Sequence, residues 1–81
     1  MSENEIIKLA RETIEALRPV YNGNTFLFDT LVAQQVTGPA NLRLRQYIIV
    51  VVTGKKIPLT QCTELKVSEA LKATFDQKSL F

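Results

Sequence analysis

The stretch Tyr47-Ile48-Ile49-Val50-Val51-Val52 decides how this chain is read. It is apolar at every position and dominated by β-branched residues, which are stiff at χ1 and pack well on a pleated surface. Such a run predicts a strand covered on both faces, in the middle of a sheet. Upstream, Leu42 and Leu44 alternate with Arg43 and Arg45, a period of two that leads into it. Downstream, Gly54-Lys55-Lys56 has the composition of a turn. After that turn Ile57, Leu59, Leu65 and Val67 share one parity, with Gln61 and Thr63 between them. Thr60, Cys62, Glu64 and Lys66 take the other parity. This predicts a half-exposed second strand over 57–67, with Pro58 near its start fitting a sheet edge. The end of the chain is mixed: Ser68-Glu69-Ala70-Leu71-Lys72 has helix-forming composition, whereas Phe75, Gln77, Ser79 and Phe81 alternate loosely.

Towards the N-terminus the signals are helical. Ser2 followed by Glu5 has the form of a capping box, in which each side chain satisfies an amide of the first turn. Ile7, Ala10, Ile14 and Leu17 recur at helical spacing, and Ile6 and Leu9 widen the stripe. Glu3 and Glu5 sit where the helix dipole favours negative charge. The Arg18-Pro19 step predicts the stop, because a residue before proline avoids the helical region. Tyr21-Asn22-Gly23-Asn24 then has turn composition. Residues 25–37 fit two descriptions. As a strand they place Phe26, Phe28, Val32 and Val36 on one side; as a helix they line up Phe28, Leu31, Val32 and Val36. The ending Gly38-Pro39, a terminal Gly followed by Pro, favours the helix.

Composition excludes more than it assigns. The chain has 81 residues, 46% of them hydrophobic and 22% charged, which fits one globular domain over 1–81. There is no His and one Cys, so neither a Ser-His or Cys-His pair nor a zinc site built from several such ligands can form. No cofactor motif is present, since Gly23 and Gly54 lack the glycine pattern that cradles a phosphate. Cys62 reads as a small buried hydrophobe. Asp29, Glu64, Glu69 and Asp76 are dispersed, so no carboxylate pair suggests acid-base work. The net charge of +2 comes from scattered Lys and Arg, with Arg43/Arg45 and Lys55/Lys56 the densest pairs. That scatter argues against a nucleic-acid face. The longest apolar run is far too short to span a bilayer, and no signal peptide opens the chain. These features predict a non-catalytic protein in the reducing cytoplasm, and the small core predicts a homodimer.

Several of these features together resemble the Tctex-type dynein light chains. The helix over 5–17, Tyr21, a helix over 25–37 and the opening Tyr47-Ile48-Ile49-Val50-Val51-Val52 follow that family's order. Cys62 falls where the family has a Cys on its second strand, and Phe75-Asp76-Gln77-Lys78-Ser79-Leu80-Phe81 is similar to its aromatic, polar, aromatic pattern. The departures are a short turn after the first strand, no Trp-Asp after Cys62, and no room for the final strand. A rival resemblance, to cystatin inhibitors of papain-like proteases, rests on Gln34-Gln35-Val36-Thr37-Gly38, which matches their Gln-x-Val-x-Gly hairpin. Here Pro39 to Gln46 intervene before the next strand, and the N-terminal glycine trunk is absent.

The expected fold is therefore α+β, with two N-terminal helices packed on a small antiparallel sheet. The light-chain resemblance implies an adaptor that binds partner peptides by strand addition. The edge nominated for it is 57–67, with Leu59, Thr60, Gln61, Cys62 and Thr63 as the partner-binding residues.

Overall fold

The stretch 47–52 is helical. In a computed structural model, which describes residues 2–79, it forms the C-terminal half of a helix, and no strand is present among the described residues. The described residues fold as four α-helices: α1 (Glu3–Gly23), α2 (Phe28–Val36), α3 (Leu42–Thr53) and α4 (Glu64–Ser79). Short 3-10 turns at Thr25–Leu27, Pro39–Asn41 and Leu59–Gln61 connect them. This corrects the α+β expectation, and with it the helices-on-a-sheet architecture of the light-chain resemblance.

The physical reason lies in where α3 sits. It packs against α1, α4 and α2, so a helix in this position is covered on nearly every side and must be apolar nearly all round. Leu44, Tyr47, Ile48 and Ile49 are buried, and Val50, Val51 and Val52 pack partly buried against the same core. A β-branched residue gives up at most about 0.7 kcal/mol of helix propensity relative to Ala. Burying an Ile or Val side chain contributes roughly 1.5–3 kcal/mol. Burial wins. Gly54, in the left-handed region at φ 76°, ends the helix, and its N–H donates to the Val50 carbonyl at 2.8 Å.

The second expected strand, 57–67, is also absent. Its first part is a connector containing the Leu59–Gln61 turn, and its last part opens α4. Thr63 caps that helix: its Oγ1 accepts from the Lys66 N–H at 3.1 Å and its carbonyl from the Val67 N–H at 3.1 Å. Val67, Leu71 and Phe75 then form a buried row at helical spacing. Leu65 and Val67, which share a parity in the sequence, part company, with Leu65 62% exposed and Val67 fully buried.

At the other end the capping box forms as expected. Ser2 Oγ accepts from the Glu5 N–H at 3.3 Å, and Glu5 Oε1 accepts from the Ser2 N–H at 3.3 Å. The expected stop at Arg18-Pro19 does not occur, and α1 carries Pro19 inside it through residues 21–23. What holds the extra turn is an aromatic cluster. The Tyr21 ring lies 5.0 Å from Phe28 and 5.6 Å from Phe75, and those two are 6.0 Å apart, all between ring centroids. Arg18 adds its guanidinium over Phe75 at 4.8 Å. Three helices meet there, and their contacts outweigh one missing backbone donor.

Residues 25–37 take the helical alternative, as a 3-10 turn running into α2 with Phe28, Val32 and Val36 buried. Gln34, Gln35 and Val36 are therefore helical, and the hairpin that the cystatin resemblance implies does not form. Leu80 and Phe81, the end of the aromatic pattern, lie outside the described residues. No helix among the described residues is long and apolar enough to cross a membrane.

Candidate functional site

Two consecutive residues of α3 organise the most distinctive surface of the molecule. Arg45 and Gln46 follow Leu44 on the helix turn that faces the connector between α3 and α4. The Arg45 guanidinium donates from Nε to the Cys62 carbonyl at 2.6 Å. From Nη1 it donates to the Val36 carbonyl at 2.6 Å and, at 3.3 Å, to that of Gly38. One side chain thus joins the end of α2, the bend after it and the connector. Gln46 is 8% exposed and donates from Nε2 to the Ile57 carbonyl at 2.8 Å. Buried carbonyls need a partner, and these two side chains supply partners that no regular element provides here.

Cys62 completes the anchor. It is 1% exposed, and its Sγ donates to the Pro58 carbonyl at 3.3 Å. Burial pushes its thiol above the usual range, while the Arg45 charge pulls in the opposite direction. A neutral, enclosed thiol is a poor nucleophile, because the thiolate is the reactive form. Backbone bonds tighten the segment further: Gln61 N–H to the Pro58 carbonyl at 2.9 Å, and Cys62 N–H to that of Leu59 at 3.1 Å.

The five nominated residues therefore divide. Leu59, Thr60, Gln61 and Thr63 are exposed, the first three forming the turn and Thr63 capping α4, while Cys62 points inward. They lie together on a connector held from beneath, not along a sheet edge. Leu59 is 40% exposed and Leu65, just after Thr63, is 62% exposed, so the turn presents apolar side chains to water. Beside it a groove of about 480 Å³ is lined by Ile49, Ile57 and Ala70, with Lys55, Lys66 and Glu69 at its sides.

Neither Arg45 nor Gln46 is among the residues nominated from the sequence, where Arg45 stands only in a basic pair with Arg43. The structure separates them: Arg43 is exposed and Arg45 half-buried. The available signal was helical spacing, which sets Arg45 four residues before the buried Ile49. No group of three or more His, Cys, Asp or Glu that could hold a metal ion occurs among the described residues. No family model matches this chain, and neither a curated protein nor a solved structure matches it.

Proposed function

We propose that this chain is a non-catalytic protein-binding module whose contact surface is the anchored turn Leu59-Thr60-Gln61, extended by Leu65 and the adjoining groove. The observation that supports it most is the anchoring itself. Arg45, Gln46 and Cys62 hold the backbone beneath the turn, while Leu59 and Leu65 stay exposed above it. A turn already fixed in shape loses little conformational freedom when a partner covers it, so more of the contact energy appears as affinity. Recognition here works through side chains, since strand addition requires a sheet edge and none exists among the described residues. The groove suits an apolar side chain of the partner, with Lys55 and Lys66 placed to meet a neighbouring carboxylate. A single, buried thiol with no second Cys to pair with suits the reducing cytoplasm.

A photo-crosslinking amino acid at Thr60 tests the reading, with the same group at exposed Lys8 as control. In cells, Thr60 should yield discrete adducts that Lys8 does not, and Leu59→Ser with Leu65→Ser should remove them while circular dichroism stays unchanged. Identical adduct patterns from the two positions would defeat the proposal.

A further inference from the structure

The groove beside the anchored turn carries a charge pattern that its own chain does not answer. Its floor is apolar, with Ile49 buried and Ile57 and Ala70 half-buried. Lys55, from the segment after α3, and Lys66, from the first turn of α4, stand exposed at its sides. Neither ammonium makes an ion pair or a hydrogen bond among the described residues. Other cations of the chain are engaged: Lys72 lies 2.8 Å from Asp29, Arg18 lies 3.1 Å from Glu15, and Lys56 sits over the Tyr47 ring at 5.6 Å. Even Glu69, three residues after Lys66 on the same helix, forms no ion pair with it.

The apolar floor continues outward along the chain. Ile57 stands two residues before Leu59, and Leu65 directly precedes Lys66. Both leucines are exposed. A small carboxylate could fill the groove, but it would leave these leucines in water. A peptide segment covers the groove and the leucines together.

Resting on the reading of the anchored turn as a contact surface, we propose that its partner is an acidic peptide segment with an apolar anchor. One aliphatic or aromatic side chain enters over Ile49, Ile57 and Ala70, and carboxylates beside it meet Lys55 and Lys66. Charge complementarity selects this occupant. A neutral surface laid over the groove would desolvate two ammonium groups without pairing them, which costs binding energy. A basic segment would add repulsion to that cost. Carboxylates opposite the two lysines replace both penalties with attraction. Glu69 disfavours a carboxylate one turn further along α4, so the two directions in which the segment can lie are unequal.

A display library of random peptides, selected on the whole chain, tests this. Recovered sequences should carry Leu, Ile or Phe next to Asp or Glu. By fluorescence anisotropy, Lys55→Glu and Lys66→Glu should each weaken a recovered peptide roughly fivefold, and added salt should weaken it as well. Lys66→Glu places a carboxylate where the first turn of α4 favours one, so the helix should persist. Exchanging the peptide's carboxylates for Lys should abolish binding to the wild type and restore it to the doubly reversed chain, a gain that an unfolded variant cannot give. Recovery of no peptide, recovery of neutral or basic ones, affinity that both reversals leave unchanged, or preference for phosphatidylserine vesicles over any peptide would each overturn the inference. If Thr60 still yields its own crosslinked adducts when one of these results is found, the turn stands as a contact surface and the partner chemistry alone is wrong. Adducts identical to those of Lys8 defeat the underlying reading itself.

Discussion

Replacing Arg45 by Ala removes the single side chain that joins three parts of the molecule. The wild-type guanidinium makes two short bonds of 2.6 Å, to the Cys62 and Val36 carbonyls, and a longer one of 3.3 Å to Gly38. Bonds to charged donors contribute roughly 1.5–3 kcal/mol each in net terms. Arg45 is only half-buried, so water can reach part of what it leaves behind, and the lower figure is appropriate. Counting the two short bonds, Arg45→Ala should cost about 3 kcal/mol. A chain of this size has roughly 4–12 kcal/mol of stability in all, so the loss is large. With a urea slope near 1 kcal/mol/M, it should lower the unfolding midpoint by about 3 M. Arg45→Lys keeps the charge but loses the planar fork, and should fall between the two. A second assay separates loosening of the connector from general destabilisation. Cys62 is enclosed, so an aromatic disulfide reagent should label it slowly in the wild type and much faster in Arg45→Ala under conditions where both are folded. An unfolding midpoint within experimental error of wild type, together with unchanged labelling, would refute the anchoring role.

Two further outcomes follow from the fold. Pro19→Ala restores a backbone donor within α1 and, after allowing for proline's stiffening of the unfolded chain, should stabilise the protein by about 1–2 kcal/mol in thermal or urea unfolding; a loss of stability would show that α1 is not continuous there. The Asp29 carboxyl is held below its ordinary value, chiefly by the bond from Lys72 and then by that from Ser68. Its contribution is therefore present above the unfolded value of about 3.8 and lost as pH falls through the lower folded value. The pair is exposed, so Lys72→Met should bring a small loss at pH 7 that vanishes at strongly acidic pH, and a loss that persists there would point to packing instead.

What the sequence revealed depended on whether the cause of a structure is local. The capping box of α1 is local: Ser2 and Glu5 bond to each other's backbone, and both lie in view within one turn. The helical identity of 47–52 is not. A short apolar run is compatible with a buried strand or a buried helix, and periodicity cannot separate them when every position is apolar. Gly54 at the end of the run and Thr63 before Glu64 were legible helix boundaries, but the β-branched composition outweighed them. Pro19 misled for the complementary reason, because Tyr21 is drawn into the helix by Phe28, beyond the next turn, and by Phe75, far along the chain. The candidate surface follows the same division. Leu59, Gln61 and Thr63 share the apolar parity that a half-exposed strand turns inward, yet they lie exposed together with Thr60, because the segment is a connector and polar, Pro-flanked segments favour the surface. Helical spacing could bring Arg45 to the core side but not reveal its role, because its partners Val36 and Cys62 lie nine and seventeen residues away and are backbone carbonyls. A carbonyl carries no residue-type signature, so a side chain that works by capturing carbonyls becomes visible only when the folded backbone brings them to it.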